Sequence, residues 1–146
     1  MARSAPRPEL ATARRQGLHN IGEAARLSGV SARMIRHYER IGLIPAADRT
    51  YAGYRLYGSN DLHRLRFIQR ARSLGFSMVQ IGKLLGLWAD PRRASRDVKR
   101  LAQAQADALE RKIREMQSMQ RVLQELASRC HGDDRPECPV LDDLAS

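Results

Sequence analysis

Between residues 93 and 128 the sequence contains neither proline nor glycine, and apolar side chains recur at Val98, Leu101, Leu109, Ile113, Met116, Met119, Leu123 and Leu126. Spacings of three and four predict a single amphipathic helix. At 1.5 Å per residue such a helix spans about 50 Å, more than a small neighbouring domain can cover. Its apolar stripe needs a partner, and an antiparallel copy from a second chain is the simplest source. The expectation is a homodimer joined by a coiled coil over residues 91–128.

The residues before this helix read as a small domain over residues 18–90. Ile21, Ala24, Ala25 and Leu27 share one face of a short helix that Gly29 interrupts. Ser31 then suits the N-cap of a second helix carrying Met34, Ile35, Tyr38 and Ile41, with Gly42 as its stop. Two short helices around a glycine turn form a helix-turn-helix candidate. Pro45 and Gly53 punctuate the next stretch, where Tyr54 and Leu56 alternate with Arg55 and Tyr57, the pattern of a small hairpin or wing. In this hairpin Tyr54 is expected to pack inward. Ser59 or Asn60 caps a third helix through about Leu74, and Ser77 starts a fourth that stops before Asp90 and Pro91. The fold class is mainly α: a winged helix-turn-helix head, a long dimerisation helix and a C-terminal loop over residues 129–146.

Charge gives this head a partner. The chain has 26 Lys and Arg against 16 Asp and Glu, a formal net charge of +10, and the excess is mostly arginine. Guanidinium groups grip phosphate in a bidentate fork, and counterion release strengthens binding to a polyanion. No apolar run approaches the roughly 18 residues that a membrane span requires. Double-stranded DNA is therefore the expected partner, with no membrane contact. The second helix of the motif would enter the major groove, placing Arg33, Arg36 and His37 at base edges or phosphates and the Tyr38 hydroxyl on the backbone. Arg55 and Tyr57 on the wing and Arg72 on the third helix would hold flanking phosphates. The arginine-rich residues 1–17 lack the apolar core of a secretory signal and read as a disordered basic extension with some transit-peptide character. A cytoplasmic location and reduced thiols follow as the default.

The chain has two cysteines, Cys130 and Cys138, in the segment CHGDDRPECPV. Gly132 and Pro136 let the seven intervening residues loop back. Thiolates are soft donors suited to Cu(I), Ag(I), Zn(II) or Hg(II), and two of them alone satisfy the two-coordinate geometry that monovalent coinage ions accept. Zinc usually takes four ligands, and His131, Asp133, Asp134 and Glu137 leave it open by composition. A redox pair is the other alternative. His131 reads as a bystander, and His19, His37 and His63 as surface or DNA-facing residues. No Ser/His/Asp set, phosphate loop or Cys-x-x-Cys motif is present, so an enzyme is disfavoured.

Taken in order, IGEAARLSGVSARMIRHYERIGLI, GYRLY, RARSLGFSMVQIGKLLGLW, DPRRASRDVKR and CHGDDRPECPV resemble the MerR family of metal-responsive regulators, and within it the copper-efflux branch of CueR and HmrR. The resemblance runs from about Leu18 to Leu144. It implies an activator that binds Cu(I) through Cys130 and Cys138 and distorts promoter DNA for RNA polymerase. It further implies that divalent sensors carry a third cysteine where this chain has Ser95, and that Lys99 lies near the metal and offsets its excess negative charge. A helix starting near Pro139 would add a positive N-terminal dipole. A zinc or lead responder of the same architecture, or a Cu(I) chaperone, are the alternatives; a chaperone would need neither the basic head nor the long helix.

Overall fold

A computed structural model describes residues 9–50 and 52–146 of the chain. It separates into two compact units, Met1–Ala94 and Ser95–Ser146. The first holds five helices and one hairpin: α1 (Leu10–Arg15), α2 (Ile21–Ser28), α3 (Ala32–Arg40), β1 (Asp48–Arg49), β2 (Arg55–Leu56), α4 (Ser59–Ser73) and α5 (Met78–Ala89). The second holds α6 (Ser95–Arg129) and α7 (Pro139–Ala145).

Helices α2 and α3 start where short polar side chains can take up free backbone donors. The Asn20 side chain accepts from the Glu23 N–H at 2.9 Å and the Ser31 hydroxyl from the Met34 N–H at 3.2 Å. Between them Gly29 has φ +76°, a left-handed conformation that costs a side-chain-bearing residue energy. The turn folds α2 and α3 over a core of Ala24, Val30, Ile35, Tyr38, Ile44, Tyr57, Leu62, Leu65, Ile68 and Ile81. Helix α4 starts one residue earlier than its sequence suggests. Its N-cap is Gly58, whose N–H donates to Asp61 Oδ2 at 3.0 Å, so neither Ser59 nor Asn60 caps it. Arg66 ties α4 to α2 by donating from Nε and Nη2 to the Leu27 carbonyl. Phe67 on α4 stacks on Trp88 of α5, with ring centroids 4.9 Å apart and planes 8° from parallel.

The hairpin is short, with Asp48 opposite Leu56 and Arg49 opposite Arg55. Tyr57 leaves it to pair with His19, exchanging two backbone hydrogen bonds of 2.8 Å. This shift breaks the expected alternation. Leu56 and Tyr57 are both buried, while Tyr54, expected to pack inward, is 59% exposed.

The expectation of disorder through residue 17 fails at residues 10–15, which form α1; residues 1–8 lie outside the described residues. A six-residue helix is too short to persist alone, so α1 exists by docking. Ala13 is completely buried, the Leu18 N–H donates to the Ala13 carbonyl at 2.9 Å, and Arg14 pairs with Glu23 of α2 at 2.6 Å. Burial works to raise the Glu23 pKa, but hydrogen bonds and charge from His19 and Arg14 outweigh it and hold the carboxyl below its usual value.

Glu39, near the end of α3, joins that helix to the wing. Its Oε1 accepts from the Ala47 N–H at 2.7 Å and its Oε2 from the Tyr57 hydroxyl at 3.2 Å. Arg55 Nε lies 3.2 Å from the same Oε2, an ion pair without hydrogen-bond alignment. Desolvation, then the nearby Glu39 carboxylate, push the Tyr57 phenol pKa far above its ordinary value. Glu39→Ala would strand the Tyr57 hydroxyl and the Ala47 N–H, and should lower the unfolding free energy by about 2 kcal/mol or more. Glu39→Gln keeps an acceptor and should cost less. Urea unfolding followed by Trp88 fluorescence checks this; equal, negligible losses for both would show that Glu39 does not tie the wing to α3.

Candidate DNA interface and metal centre

Helix α3 presents arginines on one face and its core residues on the other. Arg33, Arg36 and Arg40 are all exposed, and spacings of three and four place them in one stripe opposite the buried Ile35 and Tyr38. No acidic residue occupies the first turn of this helix. His37 is half-buried, its ring tilted 49° against Tyr38 at a centroid distance of 6.1 Å. On the wing, Arg55 keeps 31% of its side chain exposed beside Glu39, and Arg49 is exposed while its Nη1 donates to the Gly53 carbonyl at 2.9 Å. Arg72 on α4 is exposed and donates from Nη1 to the Tyr38 hydroxyl oxygen at 2.9 Å.

Two expected contacts fall away. Tyr38 and Tyr57 are each 0% exposed, because their rings fill the core and their hydroxyls are engaged by Arg72 and Glu39. They position the arginines around them instead. His19 is likewise structural: it pairs with Tyr57 through its backbone, and its Nδ1 lies 3.2 Å from Glu23 Oε2. The sequence reading passed over Arg40 and Arg49. The stripe spacing from Arg33 signals Arg40; Arg49 becomes visible only once the hairpin register sets it opposite Arg55.

In the second unit α6 runs unbroken for 35 residues, and α7 folds back against it. Cys130 follows the last turn of α6, where its N–H donates to the Ala127 carbonyl at 3.1 Å. Gly132 then turns the chain with φ +66°. Asp133 closes the loop on itself: Oδ1 accepts from the Arg135 backbone N–H at 3.0 Å and Oδ2 from Arg135 Nε at 2.7 Å. Those hydrogen bonds hold its carboxyl pKa below the usual range and occupy both oxygens. Cys138 is the N-cap residue of α7, which starts at Pro139 as anticipated. Both thiols are free and half-buried. His131 is exposed. Among the described residues no group of three or more His, Cys, Asp and Glu gathers as a metal site.

The structure does not bring Ser95 and Lys99 to the thiols. Both are exposed in the first turns of α6, while Cys130 follows its other end, about 46–53 Å away along the axis at 1.5 Å per residue. Among the described residues no helix is long and apolar enough to cross a membrane.

Comparison with known proteins agrees with this architecture. The family model for "MerR family regulatory protein" matches residues 20–57, and that for "MerR, DNA binding" matches residues 62–126. The chain is 58% identical over 127 residues to heavy metal-dependent transcription regulator 2 of Rhizobium meliloti (strain 1021), covering 87% of this chain and 86% of that protein. It is 39% identical over 126 residues to the transcriptional regulator CueR of Escherichia coli O157:H7, covering 86% of this chain and 93% of CueR. The crystal structure of the transcription regulator PbrR691 from Ralstonia metallidurans CH34 in complex with lead(II) superposes with a TM-score of 0.74 at 30% identity, covering 86% of this chain and 98% of that one. These families and relatives are regulators of transcription and not enzymes. With a winged head of matching order, a long helix behind it and relatives alike over most of their length, the chain belongs to the MerR family of transcriptional regulators.

Proposed function

We propose that this protein is a cytoplasmic, metal-responsive transcription activator that binds Cu(I), or its congeners Ag(I) and Au(I), through Cys130 and Cys138. The observation that carries the reading is the pair of free, half-buried thiols bracketing one short loop, with no third soft donor gathered beside them among the described residues. Two thiolates satisfy a monovalent coinage ion and leave a divalent ion short of ligands. Asp133 is a hard oxygen donor already drawn to Arg135, a weaker match than a thiolate for a soft ion. When bound, the metal supplies a neutralising cross-link between the end of α6 and the start of α7. The residual negative charge of a two-thiolate Cu(I) site would be offset by Lys99 of a second copy.

That second copy follows from α6. Leu109, Ile113, Met116, Met119, Val122 and Leu123 are between 39% and 65% exposed in the single chain. An antiparallel pair of α6 helices would cover this stripe and carry Ser95 and Lys99 to the other copy's thiol loop. The regulator would then sit as a homodimer on promoter DNA, reading it with Arg33, Arg36, His37 and Arg40 and clamping backbone with Arg49, Arg55 and Arg72. Metal binding would alter the DNA distortion presented to RNA polymerase.

A second reading, a lead or zinc responder, is favoured by the similarity to the lead(II)-bound PbrR691. Ser95 argues against it, because the serine occupies the position where divalent sensors of this architecture would place a thiolate.

In anaerobic titrations read out by transcription, Cu(I) should activate the wild type. Cys130→Ser or Cys138→Ser should abolish activation with DNA affinity unchanged, and Ser95→Cys should widen the response to divalent ions. Activation by zinc at least equal to that by Cu(I) would sink the copper reading. On DNA, Arg36→Ala should reduce the slope of log affinity against log salt by about one unit, whereas Tyr57→Phe should leave that slope unchanged, since its hydroxyl is buried. Replacing both Leu109 and Met116 with Glu would place four like charges in the paired seam and should yield monomers by light scattering. A persistent dimer would move the interface elsewhere.

A further inference from the structure

Helix α1 lies before the first family match, which begins at residue 20, and nothing in the proposed mechanism uses it. Yet the chain fixes it firmly. The segment joining α1 to α2 pairs with the base of the wing, through the two backbone hydrogen bonds between His19 and Tyr57. Tyr57 is two residues from Arg55, and its phenol also feels the charge of Arg36 on α3. A continuous line of contacts thus runs from the recognition face through Tyr57, His19 and Glu23 to Arg14.

Glu23 sits in the first turn of α2, and its Oε2 lies 3.2 Å from the ring of His19, whose backbone pairs with Tyr57 at the base of the wing. Arg14 covers Glu23, with Nε 2.7 Å and Nη2 2.6 Å from Oε1. Arg15 is then in excess. It is exposed, with only a long contact of 3.4 Å from Nε to the Ala11 carbonyl of its own helix. The first turn of α1 carries no acid, and the sequence before Glu9 adds Arg3 and Arg7 without any acidic residue.

We infer that α1 extends the DNA-binding edge of the head: Arg14 neutralises Glu23, and Arg15 meets the phosphate backbone beyond the segment held by α3 and the wing. The occupant is the same duplex, recognised by charge and not by sequence. This rests on the DNA-binding reading of the head. Because α1 is docked, Arg15 is presented without the backbone ordering cost that a free arm would carry.

The test uses the full-length protein and a duplex that it selects in vitro. Arg15→Ala should weaken binding about threefold to tenfold and lower the salt slope by about one unit, while Arg15→Lys retains most of both. Hydroxyl-radical footprints should lose protection only at the outermost backbone positions. Trp88 emission and helicity should match the wild type, as expected for an exposed side chain. An unchanged slope and footprint for Arg15→Ala, alongside weakened binding by Arg36→Ala, would overturn the role of α1 and leave the DNA-binding reading intact. No effect from either substitution would overturn both.

Discussion

The head depends on one carboxylate. Glu39 stands near the end of the recognition helix and is held by a backbone amide before the wing, a phenol after it and an arginine on it. Because both oxygens are engaged, α3 and the hairpin cannot shift independently without stranding polar groups away from water. The wing is too short to hold a shape on its own, since two residues per strand give few ladder bonds. Its geometry is borrowed from the helix it serves. The same arrangement lets an acidic residue sit among Arg36, Arg40 and Arg55: its side chain is only 13% exposed and is paired with Arg55.

The second unit depends on a different constraint, the exposure of an apolar stripe. A 35-residue helix with Ile113, Met116, Met119 and Val122 largely in solvent has no reason to be stable alone. Its polar sides carry short-range ion pairs such as Arg114 with Glu110, worth only tenths of a kcal/mol. The free energy that keeps it helical has to come from covering the stripe. The antiparallel pairing proposed above would meet that requirement and would bring Ser95 of one copy to the thiols of the other.

Much of this was legible in the sequence, because it rests on local rules. The caps at Ser31 and Ser77, the glycine stops, the unbroken run of α6 and the helix from Pro139 are each written in a few adjacent residues. Errors arose where a contact from a distant segment decided the outcome. Tyr57 reads as a wing aromatic facing DNA, but pairing with His19 turns it inward and leaves Tyr54 outside. Tyr38 falls on the core side of α3, opposite the stripe, and Arg72, 34 residues away, takes its hydroxyl. Helix α1 was missed because its stability lies in burying Ala13 and pairing Arg14 with Glu23, neither of which has a local signature. That two cysteines bracket one short loop is visible in the spacing, whereas the closure of that loop by Asp133 and Arg135 depends on side-chain geometry that spacing does not encode.

The length of α6 also bears on how the sensor responds to its own abundance. The thiol loop at one end of the 35-residue helix and Ser95 and Lys99 near the other lie too far apart to meet within a chain. Under the proposed pairing each sensing centre is shared, so an isolated protomer offers only a bare thiol pair. Mass action then couples effector affinity to protomer concentration: dilution below the dimerisation constant weakens metal capture, and metal capture in turn holds the pair together. With that pairing, expression level would become an input to the detection threshold, a dosage dependence arising from the geometry of a single helix.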